Sequence, residues 1–233
     1  MNREAAKTAV VVGASSGIGA AAARMLAREG YDLHLMARRE RELREIAGEL
    51  DADYAVVDFA DAGAADAALN RIPAPIDVAL YAAGTMTVSP VSGHPFDLWD
   101  RTLAVNLTGA FRFARGTIDK MQAGSRIFFI SSVAAAKAQV LQSAYAASKA
   151  GLERFAESLS SELEPRGVGV HVVAPGPVAT PMLDIPGTSP YQLDAEQVVE
   201  VMRYLIGLPP DVVMRHILVR PVISGPFARR RHD

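Results

Sequence analysis

The sequence predicts an α/β fold: a doubly wound, seven-stranded parallel sheet with helices on both faces. Short apolar, β-branched runs alternate with helical patterns along the chain, an order that calls for parallel strands and crossover helices. A glycine-rich turn, Gly13-x-x-x-Gly17-x-Gly19, joins the first strand to the first helix. The length, 233 residues of which 50% are hydrophobic, suits one domain with a sizeable core and excludes a disordered chain. That domain is expected over residues 1–226, followed by a basic tail at 227–233.

The first strand is expected at Thr8–Val12 (TAVVV), and the Ala-rich helix Gly17–Arg28 follows the glycine turn and stops at Gly30. A second strand, Asp32–Ala37, leads into the charged helix Glu40–Leu50. Strand Tyr54–Val57 precedes helix Ala64–Arg71, and strand Asp77–Tyr81 precedes one long helix, Asp97–Met121. The run Arg126–Ile130 (RIFFI) is the fifth strand, with serines at its exit. Helix Ala144–Leu163 ends at Pro165 and Gly167, strand Gly169–Val173 follows, and helix Ala195–Leu205 leads to a last strand at Ile217–Arg220. Connectors such as RIPAPID and GLPPD carry the prolines expected of loops.

Chemistry concentrates in Asn106, Ser132, Tyr145 and Lys149. In YAASK, Tyr145 and Lys149 lie one helical turn apart and project from one face. A free tyrosine keeps its proton to about pH 10. An ammonium one turn away favours the phenolate and pulls its pKa toward working pH. Ser132, at the strand exit, offers a hydroxyl to a substrate oxygen. The set suits moving a proton on and off a carbonyl or alcohol oxygen. Upstream, the glycine turn lets a pyrophosphate approach a helix N-terminus, where free N–H groups and the macrodipole favour anions.

A net charge of −2 argues against a nucleic-acid surface, and the absence of cysteine excludes disulfides and thiolate metal sites. His34, His94, His171, His216 and His232 are scattered without ligand spacing, so no metal is expected. No apolar run is long enough to span a bilayer, and no separate apolar signal region precedes the first strand. A soluble, cytoplasmic protein is expected.

In order and spacing, six blocks resemble the short-chain dehydrogenase/reductase superfamily over nearly the whole chain. They are VGASSGIG (Val12 to Gly19), AAG (Ala82 to Gly84), VNLTG (Val105 to Gly109), ISSV (Ile130 to Val133), YAASK (Tyr145 to Lys149) and PGPVATPM (Pro175 to Met182). The resemblance implies a single-domain Rossmann fold and hydride transfer between a nicotinamide cofactor and a small carbonyl or alcohol. It implies Tyr145 as general acid/base, Lys149 on the nicotinamide ribose and against the phenol, Ser132 on the substrate oxygen, and Asn106 anchoring a water. It implies cofactor contacts from Gly13, Ser15, Ser16, Gly17, Ile18, Gly19, Ala82, Ala83 and Gly84. Pro175, Gly176, Val178 and Thr180 would fix the carboxamide, and Met182–Leu193 would form a substrate lid, unless its apolar residues are incidental to a surface loop. It also implies a homodimer or homotetramer, with the helices at 97–121 and 144–163 pairing across a two-fold axis. Two positions depart from the family: Val12 stands where Thr is usual, and Tyr81, Ala82, Ala83 and Gly84 stand for Asn-Asn-Ala-Gly. An apolar replacement packing is expected there. The final HILVRPV is similar to that of a subset acting on small hydroxy acids and related polar carbonyl compounds.

Dinucleotide folds usually end the second strand in an acid that holds the ribose 2′-hydroxyl. Here Ala37 is followed by Arg38 and Arg39, whose guanidiniums suit a 2′-phosphate, so NADP(H) is the expected cofactor and Arg38 the preferred contact. Alternatively, both arginines simply open a solvated helix. Asp58 resembles the family residue that meets the adenine amino group; alternatively it caps a turn or helix. Arg229–Arg231 in the tail read as a solvated end. The competing function is a cofactor-binding regulatory or scaffold protein without turnover.

Overall fold

The computed structural model describes residues 7–183, 189–223 and 228. One sheet holds β1 (Thr8–Val12), β2 (Asp32–Ala37), β3 (Asp53–Val56), β4 (Ile76–Tyr81), β5 (Met121–Ile130), β6 (Gly169–Pro175) and β7 (His216–Val219). Its order is β3-β2-β1-β4-β5-β6-β7, and every pairing is parallel. The chain builds outward from β1 to β3, then crosses back to β4 and builds the other way. The crevice where that direction reverses, beyond the carboxyl ends of β1 and β4, is where ligands bind on such sheets.

Strand residues alternate between two cores, as a period of two demands. Ala9, Val11, Leu35, Leu80 and Phe128 face α1 (Gly17–Arg28) and α7 (Ala195–Ile206). Val10, Val12, Met36, Ala79, Tyr81, Ile127 and Phe129 face the other layer. That layer comprises α3 (Ala62–Asn70), α5 (Gly109–Thr117) and α6 (Ser143–Leu163). The charged helix α2 (Glu40–Leu50) contributes Leu43, Ile46 and Ala47 to the first core.

β1, α1, β2 and α2 begin and end at the expected residues. Helix α3 starts two residues early because the Asp61 side chain caps it, accepting from Ala64 N at 3.0 Å. The largest departure is the expected helix Asp97–Met121. It is α4 (Phe96–Leu103), one π-type turn at Ala104–Thr108, then α5. A 3-10 turn at Ile118–Lys120 ends it, and Met121 already belongs to β5, opposite Ile76. Lys120 fixes this exit: Nζ donates to Leu69 O and Ile72 O, the carbonyls at the end of α3. β6 runs to Pro175 and β7 starts one residue before expectation.

His171, on β6, is fully buried, stacks on Phe128 at 4.9 Å and holds Met214 O through Nδ1 at 2.8 Å. Burial and the nearby Arg126 lower its pKa to about 4, although the Met214 contact works the other way. The unfolded chain therefore takes up this proton first, near pH 6.5. Stability from the neutral ring is complete above that value and is lost as pH falls from about 6.5 to about 4. The loss should reach about 3 kcal/mol at pH 4. Urea unfolding of wild type and His171→Phe across this range checks it: wild type should fall more steeply, and parallel curves would remove His171 as the cause.

Candidate active site

A cleft of about 1170 Å³ opens at the carboxyl ends of β1, β4, β5 and β6. Its floor is the turn after β1. Gly13 has φ +88°, and a Cβ there would stand 2.6 Å from Ala83 N, on the loop after β4. At Gly19 a Cβ would stand 2.2 Å from Gly13 O, so helix and strand touch backbone to backbone. Ser16 is the N-cap of α1, and its side chain accepts from none of the first-turn N–H groups. Those donors face the cleft beside Ser15, Gly17 and Ile18. Val12 is buried in place of the usual Thr, and the loop after β4 is tied down by backbone, Ala82 N donating to Val12 O at 2.9 Å.

Beyond β2 the two arginines differ. Arg39 donates to Ser15 Oγ through Nε at 3.3 Å and through the guanidinium NH2 nitrogen at 3.1 Å. It also approaches Glu42 at 3.9 Å. Arg38 lines the cleft with neither hydrogen bond nor ion pair among the described residues. Asp58 accepts from Ala60 N at 3.0 Å and pairs with Arg101. Burial pushes its carboxyl up, yet Arg101 and the Ala60 N–H prevail and hold it below the ordinary value. Asp58 is thus a turn-capping, ion-paired residue that also lines the cleft.

Tyr81 replaces the usual Asn with more than apolar packing. Its ring sits edge-on to Phe59 at 5.6 Å, and its hydroxyl donates to Val105 O at 2.6 Å, inside the π turn. Gly109 accommodates it, since a Cβ there would lie 2.2 Å from that hydroxyl. The π turn carries Asn106, which is fully buried. Asn106 Oδ1 accepts from Thr85 N at 2.8 Å, and Nδ2 donates to Thr85 O and to Ser148 Oγ, both at 2.9 Å. Both amide protons are committed, so the side chain keeps only acceptor capacity for a water. Its visible work is to clamp the segment after Gly84.

Ser132 leaves β5 in extended conformation, and its Oγ accepts from Ala134 N at 3.2 Å. Tyr145 is 8% exposed. Burial raises its phenol pKa, and the hydrogen bond with Ser132 lowers it. Here the expectation of a phenol acidified by Lys149 is corrected: desolvation dominates, and the phenol is held as the neutral acid. Lys149 Nζ lies 5.7 Å from the ring centroid and donates to Ile130 O at 2.7 Å. Burial lowers this amine to about 8, with Glu153 opposing.

The segment after β6 closes the cleft. Gly176 N donates to Val219 O at 2.7 Å, Val178 bridges to Leu193, and Thr180 packs against the Gly17 position. Pro175, Gly176, Val178 and Thr180 all line the cavity. So do Met182, Leu183 and Tyr191 of the expected lid, whereas residues 184–188, including Ile185, lie outside the described residues. The tail 227–233, except Ala228, lies outside them too, as does His232. The cleft's outer wall also takes Met86, Val88, Gln139 and Gln142, which no motif marked, and Arg220 of the final HILVRPV. Among the described residues no cluster of His, Cys, Asp or Glu could hold a metal, and no helix is long and apolar enough to cross a membrane.

The family model of the short chain dehydrogenases matches residues 7–186. The chain belongs to that family. It is 31% identical over 226 residues to an uncharacterized oxidoreductase of Staphylococcus epidermidis, covering 93% of this chain and 97% of that protein. Among solved structures it is similar to an alcohol dehydrogenase from the archaeon Thermococcus sibiricus complexed with 5-hydroxy-NADP. The TM-score is 0.86 at 27% identity, over 95% of this chain and 99% of the other. It is likewise similar to a variant of actinorhodin polyketide ketoreductase with NADPH, with a TM-score of 0.85 at 28% identity over 95% and 98% of the two chains. The chain is thus an oxidoreductase of the short-chain dehydrogenase type.

Proposed function

We propose that this dehydrogenase uses NADP(H) to interconvert a small carbonyl compound and its alcohol, with Tyr145 as the general acid/base. The observation that carries the proposal is the convergence of Ser132, Tyr145 and Lys149 on the cleft that also contains the glycine turn and the unpaired Arg38. The residues fit a dinucleotide. A side chain at Gly13 or Gly19 would meet backbone, so the turn stays tight, and the first-turn N–H groups of α1 are left to an anion. Arg38 supplies an uncommitted guanidinium where a 2′-phosphate would lie, while Arg39 is engaged with Ser15. Two neighbours of this fold are described in complex with NADP-type dinucleotides.

When bound, the cofactor would supply the hydride. Tyr145, kept protonated by burial, would hand its proton to the carbonyl oxygen during reduction and recover it from the alcohol in reverse. Ser132 Oγ would hold that oxygen and stabilise the charge developing on it. Lys149 would engage the ribose hydroxyls and favour the phenolate left behind. Asn106 fixes the wall at Thr85 beside the amine. Leu98 and Phe111 are exposed on α4 and α5, with Phe155 of α6 against Phe111 at 5.9 Å, which supports a homodimer through these helices.

Incubating the purified protein with NADPH and a panel of ketones, keto acids and quinones tests the activity through the loss of reduced cofactor. Failure across the panel would favour the regulatory binder. Replacing Arg38 by Asp should cut NADPH affinity by ten- to a hundredfold (on the order of 1–3 kcal/mol for a charge-assisted contact) and swing preference to NADH. Titration with both cofactors checks it, and an unchanged ratio would make Arg38 a solvated bystander.

A further inference from the structure

Behind the catalytic face of α6 lies an ionic cluster outside the family's motifs. Glu153 follows Lys149 by one helical turn, so the carboxylate and the ammonium share a helix face. Both side chains grip the end of β5 at consecutive residues. Lys149 Nζ donates to Ile130 O at 2.7 Å, and Ser131 Oγ donates to Glu153 Oε1, also at 2.7 Å. His216, the first residue of β7, brings Nε2 to 3.1 Å from the same carboxylate oxygen, a contact that puts the ring proton on Nε2. The Glu153 side chain is only 11% exposed, so little water screens its charge.

We propose that Glu153, oriented by Ser131 and His216, is a positioning residue that keeps the buried Lys149 in its charged form. The inference rests on the role of Lys149 given above, but its physical core does not need turnover. Burial lowers the amine, Glu153 is the group that opposes the fall, and together they leave it at about 8. Among the described residues no other group can take its place. On α6 itself Tyr145 is held neutral, and Arg154 is paired with Glu157. On α4, Arg101 is paired with Asp58, while Asp97 and Asp100 are exposed. On β6, His171 is spent on Met214 O, and beyond the end of α6 Glu164 is paired with Arg215. Lys137 and Arg220, on the cleft wall, are cations that oppose a second positive charge. Without Glu153 the amine would shed its proton at a lower pH still.

The test is Glu153→Gln, which keeps an oxygen for Ser131 and removes the charge. Competitive acylation of the protein without cofactor, with the Lys149 peptide quantified by mass spectrometry across pH, reads the titration of the amine. The midpoint should fall by about one pH unit in the variant. Glu153→Asp should restore it in part. In the enzyme with NADPH, kcat/KM should then drop about fivefold near pH 8 and stay unchanged near pH 6. A loss equal at every pH, or an unmoved acylation midpoint, overturns the proposal and leaves Glu153 a structural anchor. If acylation shifts while no carbonyl is reduced, the coupling stands and the proposed activity is what fails. Should Glu153→Gln not fold, His216→Ala removes one donor and should move the midpoint the same way by less; no movement there also overturns the idea.

Discussion

Tyr145→Phe should lower carbonyl reduction by about a thousandfold while NADPH still binds within a few-fold of wild type. In the proposed mechanism the phenol of Tyr145 is the acid, and it lines the cleft. Burial holds it neutral, Ser132 touches it, and the ring is 8% exposed. Its hydroxyl contributes little to folding, about 1 kcal/mol or less for one hydrogen bond, so the variant should remain folded. Steady-state kinetics beside a cofactor titration separates the two effects. Turnover persisting at wild-type level would transfer the acid role to another donor and sink the mechanism, whereas loss of cofactor binding would show that the ring matters by packing.

Gly19→Ala should be severely damaging. Its Cβ would stand 2.2 Å from Gly13 O and 2.7 Å from Gly13 C, backbone atoms with no rotamer through which to escape. The turn must open, at about 3 kcal/mol of overpacking strain, and NADPH binding should be lost with it. Gly48→Ala is the matched control: on the exposed side of α2, its Cβ would meet nothing within 4 Å. There the helix should gain about 0.5–1 kcal/mol. Thermal melts of the two variants should therefore move in opposite directions and cofactor binding should fail only in Gly19→Ala; similar melts would contradict the backbone-contact reading of Gly19.

The amino-terminal half of the fold was legible because its signals are local. Alternating burial, the glycine turn and the charged face of α2 each announce themselves within a dozen residues. The π turn at Ala104–Thr108 was not, since one extra residue in a helical turn scarcely disturbs an apolar period and the stretch reads as unbroken helix. The start of β5 was hidden for a related reason: Gln122 to Gly124 lack strand character and are exposed there. Within the site, spacing could pick out Ser132, Tyr145 and Lys149, which line one cleft, but not their electrostatics. A lysine four positions from a tyrosine reads as its activator in sequence. In space its amine turns to Ile130 O, and burial decides the phenol's state. Equally, Glu153 is visible four residues after Lys149, but its anchor His216 arrives from the far end of the chain.

The hydroxyl of Tyr81 and the bare Cα of Gly109 fit as bolt and socket, with Val105 O as the catch. A smaller residue at 81 leaves the widened turn unlatched, and any side chain at 109 expels the bolt. The glycine is shared with the asparagine form of the family and the tyrosine is not, so the latch can be lost by change at 81 alone, whereas a side chain at 109 is barred while Tyr81 stays.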